Sequence, residues 1–391
     1  MKLSGVPKLA AYAFAAAVGL IVSGALAGCS GSSSAIPPSQ TMSNASAALP
    51  GAIGNVAVDT ASWRDSVMRT ELPSAGCFQT SYPSRVWQRI ACSTPPNLLY
   101  PYTGRPPAGQ LSPGSAIPMT DVGDGNDYTA NTSSVMSEAV GSFPSVTGVT
   151  SVTSTPNPSF GDSCECGKNS YTLQLNSSFF SSAACKGESN CDGWEQFVYE
   201  NPTGSSKGSL FIQDWLIPAN LTGSIKCPKG GGWESADGGC VQNSPNSVSI
   251  PNVAIANLGE LTETGEASSS GDSIYLAVGS TVYGMKNVQS GAITDLYANW
   301  KGAEFNVVGN AGGSIAEFNS GSSITVSLQT DTGNTAAPAC TGDSGTTGES
   351  SNLSFVAAPS NPTKLTYPSI LFKESNVSGG GTASCDAVAA N

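Results

Sequence analysis

From about residue 120 to 330 the chain is built of short runs in which apolar and polar residues alternate, such as "NSYTLQLNS", "WEQFVYE", "SLFIQDWLI", "DSIYLAV", "AEFNVVG" and "SSITVSL". Period-two alternation places successive side chains on opposite faces of a strand. Gly, Ser, Asn and Pro clusters separate the runs, and no long helical period is evident. About ten strands at short spacing predict an all-β, two-sheet sandwich of the jelly-roll (concanavalin-like) kind. One run raises a chemical question. In "NWKGAEFNVVGNAGG", residues 299–313, Ala303, Phe305 and Val307 alternate with Glu304, Asn306 and Val308. Glu304 therefore sits mid-strand in a chain of which only 11% is charged.

A second pattern lies in residues 193–218, where two alternating runs flank "NPTGSSKG" and predict a hairpin. Trp194, Gln196 and Val198 share a face of the first strand. Phe211, Gln213, Trp215 and Ile217 share one of the second, with Ile212, Asp214 and Leu216 on the other. An amide among aromatics is costly to bury without a partner. Gln196 is thus either a cross-sheet hydrogen-bonding residue or a donor in a cleft.

Outside this region the pattern changes. Residues 1–28 resemble a lipoprotein signal peptide: Lys2 and Lys8 precede an apolar stretch that ends Leu26-Ala27-Gly28-Cys29, similar to the lipobox of bacterial lipoproteins. That resemblance implies an acylated Cys29, and Ser30 after it is the residue type that goes with outer-membrane sorting. Residues 29–50 read as a flexible tether. Residues 51–119 read as an irregular N-terminal subregion holding all five arginines, 120–330 as the sandwich, and 331–391 as a loop-rich extension packed on it, with two short strands in "LSFVAAP" and "PSILFKE".

Ten cysteines follow Cys29, an even number in an exported chain, so disulfides are expected. Neighbouring positions suggest Cys77–Cys92, Cys227–Cys240 and Cys340–Cys385. Cys164, Cys166, Cys185 and Cys191 give two more bridges of open pairing, in preference to a zinc site. "DVGDGND" at 121–127 lacks the register of a calcium loop. No metal or cofactor is expected. A net charge of −12 argues against nucleic acid as partner.

The chain has no histidine. That excludes Ser-His-Asp triads, Cys-His pairs and His-ligated metals. It also makes turns of the "GDS" stretches at 161–163 and 271–273. Asp331-Thr332-Gly333 and Asp343-Ser344-Gly345 look like aspartic-protease motifs, but lie too close together to come from two lobes. Carboxylate and amide chemistry remains.

The order of motifs resembles the eqolisins, the glutamic peptidases. Their N-W-A-G and G-T-F-x-V-P strands are echoed by Asn126-Asp127-Tyr128-Thr129-Ala130 and Gly141-Ser142-Phe143-Pro144-Ser145-Val146. Their catalytic Gln matches Gln196. Their W-Y-E-W-Y-P matches Ile212 to Pro218 in part, G-D-x-I matches Gly271-Asp272-Ser273-Ile274, and A-E-W-x-V matches Ala303-Glu304-Phe305-Asn306-Val307. "IAEFNSGSSITVSL" echoes a final segment. Of the aromatics of the W-Y-E-W-Y-P strand only one is matched, by Trp215, and Val308-Gly309 replaces an acidic pair. The resemblance implies a Glu304–Gln196 dyad, with Trp194, Asp214 and Trp215 binding substrate, in an acid endopeptidase held to the bacterial envelope through Cys29. The alternatives are a non-catalytic surface lipoprotein that binds a polypeptide or a glycan, and a two-carboxylate glycosidase. Replacing Cys29 by Ser is expected to release the protein from the membrane fraction or leave it unprocessed. Unchanged detergent partitioning and unchanged mass would remove the anchor.

Overall fold

Two antiparallel sheets face one another in a computed structural model that describes residues 52–103, 122–160, 164–287, 293–359, 366–377, 379 and 381–390. The expected signal peptide, Cys29 and tether lie outside the described residues. Gly51–Asn391 forms one compact unit. The expected two-sheet, all-β sandwich is present.

One sheet has ten strands. Its central members, in spatial order, are Thr281–Asn287, Asp272–Val278, Leu261–Glu266, Glu138–Thr147, Ser323–Asp331 and Ser369–Ser375. The other has nine, with Gly239–Asn243, Lys207–Ile217, Asp192–Asn201, Tyr171–Ser177, Gly302–Val308 and Thr129–Asn131 in order. A small four-stranded sheet holds Ile315–Phe318 and Val152–Thr155. The hairpin of residues 193–218 forms as expected, with Trp194 opposite Trp215 and Gln196 opposite Gln213.

The core follows from the alternation. Leu173, Leu175, Phe197, Tyr199, Ile212, Phe305 and Val307 point from the nine-stranded sheet toward Ile274, Leu276, Met285, Ile324, Val326 and Leu328 of the other. Two glycines of the ten-stranded sheet admit the largest of them. A Cβ on Gly141 would lie 2.2 Å from the Phe305 ring, and one on Gly265 would lie 2.6 Å from Phe197. Phe305 also packs on Phe143 at 5.2 Å between centroids, and Phe197 stacks on Trp300 at 5.6 Å.

Three features differ from the sequence reading. Ala52–Met68 is a helix within a region expected to be irregular. Trp63, Val67 and Met68 pack with Phe78, Tyr275, Ala277 and Val282 on the outer face of the ten-stranded sheet. The helix carries no acidic first turn or basic last turn, so its ends gave no signal. Leu261–Glu266 is an interior strand although "LTETGE" reads as a loop. The runs "LSFVAAP" and "PSILFKE" form strands as expected, and the segments flanking 120–330 join the sheets rather than only packing on them. Gly76–Ser81 pairs with Thr281–Asn287, Ser369–Ser375 with Ser323–Asp331, and Ala339–Thr341 with Thr129–Asn131. No helix among the described residues is long and apolar enough to cross a membrane.

Five disulfides close the fold. Cys77–Cys92, Cys227–Cys240 and Cys340–Cys385 form as expected, and the open cluster resolves into Cys164–Cys166 and Cys185–Cys191. Gly141→Ala is expected to cost about 1–3 kcal/mol through overpacking against Phe305. A denaturant titration measures it, and an unchanged midpoint would show that the ring is not held in that notch.

Candidate functional site

Because Phe197 and Phe305 enter the core, their neighbours Gln196 and Glu304 point out of the opposite face of the nine-stranded sheet. The register then aligns them. Glu304 is opposite Asn176 on the intervening strand, and Asn176 is opposite Gln196. Gln196 is in turn opposite Gln213. Glu304, Asn176, Gln196 and Gln213 thus form one row across four strands. Glu304 is 2% exposed and Gln196 fully buried.

The row is buried because other parts of the chain cover it. Residues 98–103 and 344–349 lie over this face and bond to each other, with Thr103 N–H donating to Thr346 O at 2.8 Å and Gly348 N–H to Pro101 O at 2.8 Å. Tyr102 packs edge-on against Trp194 and Trp215 at 6.4 and 5.9 Å. Tyr100 packs on Phe211.

Glu304 receives four donors. Asn176 Nδ2 and Thr346 Oγ1 donate to Oε1 at 2.8 and 2.6 Å, Thr347 N–H donates to Oε1 at 3.0 Å, and Thr346 N–H donates to Oε2 at 2.7 Å. Burial raises the Glu304 carboxyl and these donors oppose the rise. Gln196 is oriented by Trp215 Nε1, which donates to Oε1 at 3.2 Å, and its Nε2 donates to Gln174 Oε1 at 3.3 Å. Only one of its two amide hydrogens is used there. Trp194 is on the same face, its indole N–H donating to Thr346 Oγ1 at 2.9 Å.

Asp214 does not join them. It shares the core face with Glu195, opposite to Gln196, where Asp272 also lies close. This corrects its expected place in a substrate site, since its parity within the strand turns it inward. Thr294 Oγ1 donates to Glu195 Oε2 at 2.6 Å, and both Asp214 oxygens lack a hydrogen-bond donor. Burial and then the Asp272 charge push Glu195 and Asp214 well above the usual carboxylate range. The three carboxyls lie close to one another on the core face.

A residue to which the sequence reading gave no role in the site sits beside Glu304. Asp127 is 1% exposed and accepts from Asn306 Nδ2 at 2.8 Å. Burial pushes it to about 8, the Glu304 charge adding to the rise and Asn306 opposing it. Its place in the Gly- and Asp-rich run 121–127 hid it among turn residues. Glu349 is likewise covered and pushed to about 7 by burial, against donors from Thr347, Gly313 and Gln174. Among the described residues no group of three or more Asp, Glu or Cys side chains is arranged to hold a metal ion.

No protein-family model matches this chain, and no curated protein sequence matches it.

The buried carboxyls set a pH dependence. Asp127 is raised to about 8, and Glu349, Glu200 and Glu138 to about 7, each chiefly by burial. In the unfolded chain such groups titrate near 4. The folded state therefore binds more protons between about pH 4 and 8, and its stability falls as pH rises through that window. Thermal melts are expected to give the highest Tm near pH 4 and a fall toward pH 8, flattened in part by Asp127→Asn. A Tm that climbs from pH 4 to 8 would contradict it.

Proposed function

We propose that the chain is an exported, lipid-anchored acid peptidase of the glutamic type, whose site is covered in this state by residues 344–349. The observation that carries the reading is the single row in which Glu304, Asn176 and Gln196 occupy one face of three adjacent strands. In such a site the Glu304 carboxylate takes a proton from a water as the water oxygen bonds to the scissile carbonyl carbon. The carbonyl oxygen becomes an oxyanion, to which Gln196 Nε2 donates, a contact typically worth about 2.7–4 kcal/mol. Glu304 then returns the proton to the amide nitrogen as the C–N bond breaks. Asp127, beside Glu304, is neutral below its raised value of about 8 and so does not oppose a charge on Glu304. The Glu304 carboxyl is itself raised by burial, so it serves as the base only above that raised value, on the weakly acid side of neutrality.

A specific observation favours a second reading, a non-catalytic envelope lipoprotein. Four donors of the chain already occupy the Glu304 carboxylate, and the indole N–H groups of Trp194 and Trp215 are both used internally. On that reading the row is a structural network under a permanent cover.

Gly345 separates the two. A Cβ there would lie 2.8 Å from Glu304 Oε2 and 2.9 Å from Asp127 Cβ, so a larger side chain must push the cover outward. Across about pH 4–7, where the carboxyl of Glu304 can ionise while Asp127 stays neutral, Gly345→Val is expected to raise hydrolysis of a quenched fluorescent peptide above wild type. Glu304→Gln and Gln196→Glu in that background are expected to remove it, with each folded state monitored by near-UV circular dichroism. Absence of hydrolysis in wild type and in a folded Gly345→Val protein would leave the second reading.

A further inference from the structure

Toward the end of the nine-stranded sheet away from Glu304, the strand Gly239–Asn243, paired between Lys207–Ile217 and the short edge strand Glu234–Ala236, carries Gln242 on the face it shares with Asp214. Gln242 is 8% exposed and its Nε2 has no hydrogen-bond partner. A buried amide without a partner is expensive in a folded protein, and is found where a ligand or water completes it. Gln242 lines a cleft of about 230 Å³, together with Trp233, Lys186, Lys229 and Gly230-Gly231.

The cleft is built, not incidental. Gly230, Gly231 and Gly232 hold φ values of 80°, 81° and 85°, a left-handed run that only glycine adopts readily. It curls the chain so that Trp233 and Lys229 border the same space as Gln242. The Cys185–Cys191 and Cys227–Cys240 bridges anchor the two loops, and half-buried Trp233 packs against that cystine cluster. Both lysines are exposed, and among the described residues neither is ion-paired. In a chain of net charge −12 with only 16 basic residues, two cations at one cleft are a local reversal of sign.

We infer that this cleft binds an acidic oligosaccharide. A sugar ring stacks its C–H face on Trp233, a hydroxyl completes the Gln242 amide, and a carboxylate on the sugar lies between Lys186 and Lys229. A free inorganic anion would use the lysines but leave Trp233 and Gln242 without a role. A neutral glycan would use Trp233 and Gln242 but not the charge reversal. The site is independent of Glu304 and stands whether or not the row catalyses anything.

The test uses the whole folded protein and three probes: trigalacturonate, a neutral galactose trisaccharide and inorganic phosphate, titrated at constant ionic strength with tryptophan fluorescence and calorimetry. Trigalacturonate is expected to bind saturably. The neutral trisaccharide is expected to bind about tenfold more weakly, as two exposed charge contacts would give. Trp233→Ala should abolish binding, and Gln242→Leu should weaken both sugars. Lys186→Ala with Lys229→Ala should erase the preference for the acidic sugar without moving Tm. No saturable binding by either sugar, equal binding of the two, or a preference that survives the double lysine variant would each overturn the proposal. So would full displacement of the sugar by equimolar phosphate, which would mark an adventitious ion only.

Discussion

The packing of Phe197 and Phe305 against Gly265 and Gly141 is the constraint on which the rest depends. Each ring occupies space that a single methyl group on the facing sheet would fill, 2.6 Å and 2.2 Å from the ring atoms. Interiors packed at crystal density do not yield to such an intrusion. The two aromatics fix which face of each strand is inward, and alternation does the rest. Gln196 and Glu304 must point outward, Glu195 and Asp214 inward. A one-residue slip of either strand would exchange the faces. The sandwich core and the polar row are therefore two consequences of one registration.

Outward does not here mean solvent. The face that carries the row is roofed by residues 98–103 and 344–349, so the molecule has polar layers on a buried surface. Such layers survive only if their groups find partners or lose charge. Both solutions occur. Glu304 keeps four donors. Glu195 and Asp214 have too few donors and take up protons, as does Asp127, pushed to about 8. The second works better in acid than at neutral pH, and a chain without histidine gains no new buried cation as pH falls. Acid conditions are the environment in which this arrangement of carboxyls is least strained.

The sequence made the sandwich legible where aromatic and β-branched residues alternate, as in Gly302–Val308 and Lys207–Ile217. It hid Leu261–Glu266, whose Thr, Glu and Gly imitate a loop although Glu263 and Thr264 are fully buried. Propensity was overridden there by pairing on both sides, with Asp272–Val278 and with Glu138–Thr147. The parity of Gln196 and Glu304 within their strands could be read. Their alignment could not, because it depends on Tyr171–Ser177 lying between two strands about a hundred residues apart in sequence. The roof was illegible for a related reason. "DSGTTGES" has turn composition, and only its tertiary hydrogen bonds distinguish it from an exposed loop.

What the roof does chemically bears on the proposed reading of the row. Thr346 and Thr347 offer successive backbone N–H groups to one carboxylate, at 2.7 and 3.0 Å. Any polypeptide laid over the same strands would present the same groups, since every residue but proline carries an N–H. A face whose fixed partners are a carboxylate, the amides of Asn176, Gln174 and Gln196, and aromatic walls is complementary to main chain more than to particular side chains. The covering segment is thus the chain's own example of what that surface accommodates. To act on another peptide, the protein would have to exchange one backbone for another at Glu304, with little net change in hydrogen bonding. Such an exchange is thermodynamically shallow, so the stability of the cover, more than the chemistry of the row, would govern access.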